Sequence, residues 1–369
     1  MALVVVRLPA PEAADAIRRA WDMGRGVLVL DPRAPGAEIE RIMARLDPDG
    51  EVAPDVAAVV VTSGTTGEPK GVELTFGGLQ SSARAVSDAL GVRPGSGDRW
   101  LCCLPLHHVG GLGVLARSWT VGTPVDVLRF DIDAVAASPA TLVSLVPLMV
   151  RRLLAAGVDL GRFRRVLIGG GPVAADLPGT PTYGLTETWG GVVHAGHPLD
   201  GVEVALGHED EILVRGLPVM RGYRSPTAAA DTAAVFTREG WFRTGDAGRT
   251  DAQGRLTVVD RLRDLVKTGG VSVAPSEVEA VVAAHPGVAD VCVAGAPDPE
   301  WGERVVAYVV PADPAAPPTV DDLRSFARDR LSAAKLPRAV VVVEAIPRTP
   351  GGKALRRLLT STPRPPGST

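Results

Sequence analysis

The chain is poor in lysine: only four of its 39 basic residues are lysine, namely Lys70, Lys267, Lys335 and Lys353. Each lies in or beside a stretch rich in glycine or proline: SGTTGEPKG, RLRDLVKTGG, SAAKLPR and PRTPGGK. A lysine ammonium is a compact charge on a flexible stem, so it can reach into a phosphate cluster. An arginine-rich composition alone could leave four lysines at arbitrary places. Their shared loop context instead indicates functional positions.

The chain also lacks a large net charge, a cysteine framework and a long apolar run. Its formal charge of −3 does not provide the basic surface with which proteins bind nucleic acid or an anionic membrane. Cys102, Cys103 and Cys292 are too few and too poorly spaced for a disulfide framework or a zinc site. No apolar run reaches the ~18 residues of a membrane-spanning helix, and the N-terminus does not resemble a signal peptide. We expect a reduced, cytoplasmic enzyme.

The length of the chain and the pattern of its apolar runs predict two domains of different architecture. The 369 residues exceed a single typical core. Apolar runs alternate with amphipathic stretches, which favours layered α/β sheets with largely parallel strands. From about residue 201 shorter strands indicate a β-rich subdomain, and a mixed α+β unit of roughly 100 residues follows. We predict an N-terminal domain over 1–261, a C-terminal domain over 262–360 and a disordered tail over 361–369. The predicted buried strands are 27–30, 56–62, 100–106, 124–128, 141–147 and 164–170, and the predicted helices include 79–91 and 147–157.

The strongest motif is VVVTSGTTGEPKGVELT at 59–75, an apolar strand followed by glycines, hydroxyl side chains and Lys70. Glycines let backbone amides approach an anion closely, while the hydroxyls add donors and the lysine adds charge. It is not a Walker A loop, because Pro69 precedes the lysine and Gly71 follows it. A flexible hydroxyl-rich hairpin is the alternative, but the composition favours a phosphate-binding loop.

Five further segments carry groups suited to a nucleotide. GGGP (169–172) could admit a flat ring against its backbone. YGLTET (183–188) offers an aromatic face, two hydroxyls and Glu187. GWFRTGD (240–246) ends in Asp246, a carboxylate suited to paired ribose hydroxyls. DRLRDLVKTGG (260–270) contributes Arg261 and Lys267, and PRTPGGK (347–353) sets Lys353 on a glycine loop.

In order and spacing these segments resemble the adenylate-forming superfamily of acyl-CoA synthetases, peptide-synthetase adenylation domains and luciferases. The resemblance runs from about residue 56 to about residue 357. It implies an adenylate-forming enzyme fold, in which a large N-terminal domain binds ATP and the acid and a small mobile C-terminal domain carries the catalytic lysine. It also implies ATP, Mg²⁺ and CoA as cofactor and co-substrates.

Carried over residue by residue, the resemblance implies roles for the residues of each motif. The residues implied to bind the ATP phosphates are Thr62, Ser63, Gly64, Thr65, Thr66, Gly67 and Lys70. Those implied to line or stack on the adenine side of the nucleotide are Gly170, Gly171, Pro172, Tyr183 and Gly184. The remaining implied roles are Thr186 at the α-phosphate, Glu187 at Mg²⁺, Asp246 at the ribose hydroxyls with Arg261 nearby, and Lys353 bridging carboxylate and phosphate.

The implied mechanism has two half-reactions: a carboxylate and ATP give acyl-AMP and pyrophosphate, and a thiol then displaces AMP. Charge that builds on the attacked phosphate is stabilised by Mg²⁺ and lysine. Between the steps the C-terminal domain turns about a hinge, which falls at Arg263, and withdraws Lys353. Lys267 and Gly269–Gly270 then face the thiol reaction.

The histidines and Trp189 support more than one interpretation. His108, in LPLHHVGGL (104–112), lies where relatives position the acyl substrate, although it could equally be a packed core residue. His107 has no catalytic role in this interpretation. His194 and His197 lie in a glycine-flanked loop and are poor metal ligands without further partners. Trp189 either lines the acyl pocket or packs in the core.

About 60 residues precede the phosphate loop, fewer than in most relatives, which favours a compact acid over a long-chain one. The layout resembles the short o-succinylbenzoate–CoA ligases of menaquinone biosynthesis. The acid's second carboxylate then needs a basic or hydroxyl group, for which Arg117, Arg129 and His194 are candidates. Three alternatives stay open: a ligase for another small aryl or aliphatic acid, an adenylation protein that loads a carrier-protein arm, and a non-catalytic adenylate-binding protein. The implied partners are a small carboxylic acid, ATP and CoA, with no nucleic acid and no membrane insertion, and a homodimer is left open.

Overall fold

A computed structural model of the chain describes residues 2–63, 68–174, 176–348 and 354–360. The chain divides into two compact units. The first comprises Met1–Ala205, Leu213–Thr244 and Thr250–Leu256, and the second comprises Leu206–Ile212, Gly245–Arg249 and Thr257–Thr369. Lys70 belongs to the first unit, whereas Lys267 and Lys335 belong to the second.

Strands and helices alternate along most of the chain up to Ile168, and strands predominate from Thr180 to Val273. The strands are β1 (Val4–Val6), β2 (Val27–Val29), β3 (Val56–Ser63), β4 (Pro69–Thr75), β5 (Trp100–Cys102), β6 (Val125–Val127), β7 (Leu142–Leu145), β8 (Arg165–Ile168), β9 (Thr180–Leu185), β10 (Gly190–His194), β11 (His197–Pro198), β12 (Val202–Leu206), β13 (Glu211–Gly216), β14 (Gly222–Arg224), β15 (Phe242–Thr250), β16 (Leu256–Arg261), β17 (Val266–Thr268), β18 (Val271–Val273), β19 (Val288–Asp298), β20 (Gly302–Pro311) and β21 (Ala339–Val342). The α-helices are α1 (Ala10–Asp22), α2 (Gly36–Leu46), α3 (Phe76–Ala89), α4 (Val109–Val121), α5 (Ile132–Ala137), α6 (Pro147–Ala155), α7 (Ala228–Ala234), α8 (Pro275–Val282), α9 (Val320–Ala327) and α10 (Arg356–Thr360).

A five-stranded sheet has the order β1-β2-β3-β4-β14. β1, β2 and β3 run parallel, whereas β3 and β4 form an antiparallel pair in which Thr62 lies opposite Lys70. Ile17 and Trp21 of α1 are buried one helical turn apart, so this helix covers apolar sheet surface. The phosphate-loop motif therefore lies where β3 turns into β4.

A seven-stranded sheet has the order β11-β10-β9-β8-β7-β5-β6. Its strands are parallel from β6 through β9, and β10 and β11 continue it as an antiparallel hairpin. The carboxyl ends of parallel strands meet at one edge of a sheet, where open α/β folds bind their ligands. The segments that follow β5, β7, β8 and β9 therefore share one edge.

Helices α3 and α4 supply the packing that holds this part of the first unit together. Leu79 of α3 and Leu112, Val114 and Leu115 of α4 are almost fully buried in one core with Trp100. Burying a leucine side chain stabilises a fold by about 1.5–3 kcal/mol. α3 begins at a capping residue, since the Thr75 hydroxyl accepts a hydrogen bond from the Gly78 amide at 3.0 Å.

The C-terminal part of the chain contains two long strands, β19 of 11 residues and β20 of 10 residues, and its own core. One sheet has the order β12-β13-β15-β16, and another has the order β18-β17-β20-β19, with β21 parallel to β20. A separate apolar cluster lies under the latter sheet; it includes Val266, Val278, Val293, Val305 and Leu323. α9 begins with a capping box, because Thr319 and Asp322 bond each other's backbone amides.

Layered sheets in the first unit and mixed α+β structure in the second confirm the predicted fold class. Five of the six predicted strands occur with shorter bounds, and 56–62 lies within the longer β3. The predicted helices 79–91 and 147–157 correspond to α3 and α6. One segment predicted as a loop, 194–197, is a hairpin instead. A second hairpin covers 266–273, and its turn Gly269–Gly270 has positive φ at both residues. Two-residue turns of this kind match the twist of paired strands. In the described part of the chain, no helix is long and apolar enough to cross a membrane.

Candidate active site

Three of the predicted site segments lie at the common edge of the seven-stranded sheet. Gly170–Pro172 follows β8, Thr186–Glu187 follows β9, and His108 follows β5 at the start of α4. The approach of β8 to β9 is close: a Cβ at Gly169 would lie 2.4 Å from Thr182 Oγ1. Gly170 has a φ of 79°, a conformation that favours glycine. The fold therefore brings the predicted adenine, α-phosphate and acyl segments to one side.

Glu187 is held from both its backbone and its side chain. The Tyr223 hydroxyl donates a hydrogen bond to Glu187 Oε1 at 2.9 Å, and the Met220 amide donates to the Glu187 carbonyl at 2.7 Å. Glu187 lies in the 3-10 turn Thr186–Thr188, which is closed by a hydrogen bond of 2.9 Å from the Leu185 amide to Thr188 Oγ1. Its carboxylate is thus oriented before any ligand binds.

Lys70 lies on β4 and is paired with a carboxylate. Its Nζ is 2.9 Å from Asp231 Oδ1 and 5.4 Å from the centre of the Tyr223 ring. The Thr62 hydroxyl donates a long hydrogen bond of 3.5 Å to the Lys70 carbonyl. Gly64, Thr65, Thr66 and Gly67, which lie between these two residues, are outside the described residues, as is the side chain of Ser63.

Glu187 fits the chemistry of a magnesium ligand. Mg²⁺ is usually bound by one or two carboxylates together with substrate phosphates and water, because it gives up water reluctantly. Within the described residues no group of three or more His, Cys, Asp or Glu side chains could hold a metal ion by itself. A single preoriented carboxylate, linked through Tyr223 to the lysine of the predicted phosphate loop, is therefore the arrangement expected for Mg²⁺ bound to a nucleotide.

In the second unit, Asp246 and Arg261 form a close pair. Arg261 Nε lies 2.8 Å from Asp246 Oδ1, and Asp246 is only 5% exposed. A charge-assisted contact of this kind orients both side chains. The adjacent Gly245 amide donates a hydrogen bond to Glu211 Oε1 at 3.1 Å. The structure therefore brings together the two residues predicted at the ribose.

Lys267 and Arg263, also in the second unit, are more exposed than this pair. Lys267 lies on β17, where its Nζ pairs with Glu209 at 2.8 Å and its amide donates to Glu303 at 2.7 Å. Arg263, at the predicted hinge, is 59% exposed at its side chain and lies in the 3-10 turn Leu262–Asp264. Lys335 pairs with Glu277 at 2.6 Å. Lys353 lies outside the described residues, so its role remains a prediction.

His108 is exposed at the N-terminal end of α4, which excludes the packed-core interpretation of this residue. Its ring lies 4.3 Å from that of His107. Burial, together with the nearby His108, lowers the pKa of His107 to about 4, so His107 is neutral at pH 7. Trp189, by contrast, is packed: it is almost fully buried, and its Nε1 donates a hydrogen bond to the Thr75 carbonyl at 3.1 Å.

Arg117 and His194 lie together in the interior of the first unit. Arg117 is 8% exposed, donates a hydrogen bond to Ser144 Oγ at 3.0 Å and stacks over the Trp100 ring at 4.5 Å. Burial lowers the pKa of Arg117 to about 10. Burial, and secondarily the charge of Arg117, lowers the pKa of His194 to about 4. Arg129 is exposed and does not belong to this group.

The buried His194 predicts a loss of stability in mild acid. Its usual pKa is 6.5, so the unfolded chain takes up a proton before the folded chain does as the pH falls. The free energy of unfolding should therefore fall from about pH 6.5 downward, by about 2 kcal/mol at pH 5 from this group. Urea unfolding of the wild type and of His194→Gln at pH 7.5 and pH 5 measures this contribution. Equal pH dependence in the two proteins would contradict the expectation.

A cavity of about 530 Å³ lies at a distance from the predicted nucleotide segments. It is lined by residues of α3, by Arg165 and Thr180, and by residues between 194 and 200. Arg165 and Thr180 begin β8 and β9, whereas the predicted nucleotide residues follow the other ends of these strands. The cavity is therefore distinct from the predicted ATP site.

Tyr223 and Asp231 contact predicted site residues, although the motifs did not indicate them. They lie outside the glycine-rich segments, on β14 and α7, and contact Glu187 and Lys70 through the fold. The sequence contains one indication that Tyr223 has a specific role: it is one of only three tyrosines in the chain.

Family models match both parts of the chain. The AMP-binding enzyme model matches residues 2–224, and the model of the AMP-binding enzyme C-terminal domain matches residues 277–353. The chain belongs to the AMP-binding enzyme family. This AMP-binding enzyme is 38% identical over 344 residues to a probable 2-succinylbenzoate–CoA ligase of Mycobacterium tuberculosis, covering 87% of this chain and 88% of the relative. It is 34% identical over 391 residues to the 2-succinylbenzoate–CoA ligase of Bacillus subtilis, covering 92% of this chain and 78% of the relative.

Solved structures agree with the sequence comparison. The o-succinylbenzoate CoA synthetase of Bacillus subtilis in complex with its acyl-adenylate intermediate has a TM-score of 0.85 and 28% identity, covering 98% of this chain and 89% of that chain. The same synthetase in complex with ATP and magnesium ion has a TM-score of 0.83 and 28% identity, covering 97% of this chain and 88% of that chain. The predicted adenylate-forming family and its fold are confirmed.

Proposed function

We propose that this AMP-binding enzyme is an ATP-dependent 2-succinylbenzoate–CoA ligase. The acid and ATP give the acyl-adenylate and pyrophosphate, and the CoA thiol then gives the thioester and AMP. The observation that carries the proposal is the similarity to ligases of this substrate across most of the chain, at 34–38% identity for the relatives above. The likeness to a synthetase that holds the acyl-adenylate supports the same reaction.

The contacts in the first unit suit the first half-reaction. Attack of a carboxylate on the α-phosphate builds negative charge, so preoriented cationic groups there lower the barrier. Glu187, oriented by Tyr223, would hold Mg²⁺, which withdraws charge from phosphate oxygens when bound. Thr186 would contact the α-phosphate, and Lys70 with Thr62–Gly67 would bind the remaining phosphates. Tyr183 would stack on the adenine beside Gly170–Pro172.

Residues of the second unit complete the proposed assignment. Asp246, with Arg261 on one carboxylate oxygen, would accept hydrogen bonds from the ribose hydroxyls. Lys353 would bridge the carboxylate and the phosphate during adenylation. A turn of the C-terminal part about Arg263 would then bring Lys267 and Gly269–Gly270 to the thiol step, with free CoA as the acceptor. We place the reaction in the cytoplasm, where ATP and CoA are available. A homodimer remains a prediction that size-exclusion chromatography would test.

Arg117 is the group best suited to the second carboxylate of the acid. A buried charge without a counter-charge is unfavourable, and it becomes favourable when an opposite charge arrives. Among the described residues no carboxylate forms an ion pair with Arg117, and its Nε lacks a hydrogen-bond partner. His194, whose Nδ1 has no hydrogen-bond partner in the described part of the chain, adds a second polar group to the same interior.

A thioester assay with a panel of acids tests the proposed function. Purified protein with ATP, Mg²⁺, CoA and 2-succinylbenzoate should yield AMP, pyrophosphate and the CoA thioester, detected by mass. Formation of ADP would contradict the mechanism. Adenylate formation without transfer to free CoA would favour a carrier-protein acceptor, and absence of any adenylate would favour a binding protein without catalysis.

Arg117→Met tests the assignment of the second carboxylate. Loss of a hydrogen bond to a charged group costs about 1.5–3 kcal/mol, so KM for 2-succinylbenzoate should rise by about 10- to 150-fold. KM for ATP should not change. Arg129→Met removes an exposed arginine and serves as the matched control. An unchanged KM for the acid in Arg117→Met would remove Arg117 from the substrate site.

A further inference from the structure

Lys70 is engaged by a carboxylate at the position where the proposed function needs it to meet phosphate. Its Nζ lies 2.9 Å from Asp231 Oδ1, and the two side chains are 18% and 22% exposed. Both residues belong to the first unit. The lysine charge is therefore neutralised by the protein itself, yet the pair stays accessible to a solvent-borne anion.

Asp231 is built to remain ionised. Its Oδ2 accepts hydrogen bonds from Thr227 Oγ1 at 2.8 Å and from Ser225 Oγ at 3.2 Å, while Oδ1 faces the lysine. The hydrogen bond from Lys70, followed by that from Thr227, lowers the pKa of Asp231. Asp231 is thus a fixed negative charge, whereas Lys70 is a flexible side chain that can change partner.

Tyr223 places this pair beside the residue proposed to hold Mg²⁺. Tyr223 lies directly opposite Val72 in the β4–β14 ladder, and Lys70 lies two residues before Val72 on the same face of β4. The Tyr223 ring lies under the Lys70 ammonium, and its hydroxyl donates to Glu187 at 2.9 Å. Asp231, Lys70, Tyr223 and Glu187 therefore form one connected group on the nucleotide side of the sheet.

We propose that Asp231 is the counter-ion that Lys70 exchanges for the phosphates of ATP, and to which Lys70 returns when pyrophosphate leaves. This inference rests on the proposed function, because it takes Lys70 as a phosphate ligand. ATP binding displaces one carboxylate from the ammonium, and pyrophosphate release restores the ion pair. No covalent bond is made or broken in this exchange. Asp231 thereby limits the affinity for polyphosphates and eases product release.

Charge sets the direction of the expected effect. ATP and pyrophosphate are polyanions, so a fixed carboxylate next to their lysine both competes for it and repels them. Removing that carboxylate should tighten their binding. Exposed ion pairs contribute about 0.2–1 kcal/mol, and the pair is partly exposed, so the dissociation constant should change by up to about fivefold. AMP lacks the terminal phosphates, so its affinity should stay the same.

Asp231→Asn is the variant of choice, because it keeps the shape of the side chain and one acceptor oxygen, which can still accept from Thr227 and Ser225, and removes the charge that faces Lys70. Calorimetry at low and high salt would measure the dissociation constants of ATP, pyrophosphate and AMP. We expect ATP and pyrophosphate to bind more tightly, by up to about fivefold, with a smaller change at high salt. In steady state, KM for ATP should fall and inhibition by pyrophosphate should strengthen, without a rise in kcat.

Asp251→Asn is the matched control, since Asp251 lies in an exposed pair with Arg255 at 2.7 Å and its loss changes net charge equally. Asp231→Ser provides a second neutral variant if the asparagine variant is unstable. Weaker or unchanged binding of ATP and pyrophosphate in both Asp231 variants would overturn the exchange. So would an equal change for AMP. Failure of the proposed function would differ: the wild type would bind ATP but form no acyl-adenylate with the acid.

Discussion

Replacing Lys353 with alanine is expected to lower the rate of acyl-adenylate formation by about 10²–10³-fold, the effect of removing one preoriented group that stabilises transition-state charge. Thioester formation from a synthetic acyl-adenylate should be largely preserved, because the mechanism withdraws this lysine before the thiol attacks. The prediction rests on the PRTPGGK segment, since Lys353 lies outside the described residues. Arg348, the second residue of that segment, and Ala354, which directly follows it, pair as an antiparallel bridge.

The two half-reactions must be measured separately. Pyrophosphate release with acid and ATP reports adenylation, and thioester formation from the synthetic adenylate and CoA reports transfer. Lys335→Ala is the matched control, because it removes another lysine, one that pairs with Glu277 at 2.6 Å. Equal loss of both half-reactions in Lys353→Ala would contradict the assigned role.

Replacing Glu187 with glutamine is expected to lower adenylation by about 10²-fold or more, with a much higher requirement for Mg²⁺. The amide oxygen can still accept the hydrogen bond from Tyr223, so the turn should keep its shape while the metal loses an anionic ligand. Initial rates of pyrophosphate release over a range of Mg²⁺ concentrations measure this change.

Tyr223→Phe separates orientation of the carboxylate from its charge. This variant keeps the ring beneath Lys70 but loses the hydroxyl that orients Glu187, so its loss of activity should be smaller than that of Glu187→Gln. If Glu187→Gln retained the wild-type dependence on Mg²⁺, Glu187 would not be the metal ligand.

Much of the fold could be predicted because buried parallel strands are continuous apolar runs. Val27–Val29, Leu142–Leu145 and Arg165–Ile168 are strands within or near the predicted bounds. β4 was not predicted, because its sequence PKGVELT is not a continuous apolar run: it contains the charged residues Lys70 and Glu73. Those charges are tolerated because each finds a partner on another segment: Asp231 for Lys70, and Arg224 for Glu73 at 3.1 Å. A partner distant in sequence leaves no local pattern.

The sequence by itself determined the family and the motifs, because phosphate, adenine and ribose each require particular residue types at a short, fixed spacing. Glycines, hydroxyls and a scarce lysine are visible without any structure. Only the tertiary structure decided what those groups contact. It paired Lys70 with Asp231 across 161 residues, oriented Glu187 through Tyr223, and placed Arg117 in an interior without a carboxylate partner among the described residues. Such contacts arise from the order of strands in the sheets, which no local spacing encodes.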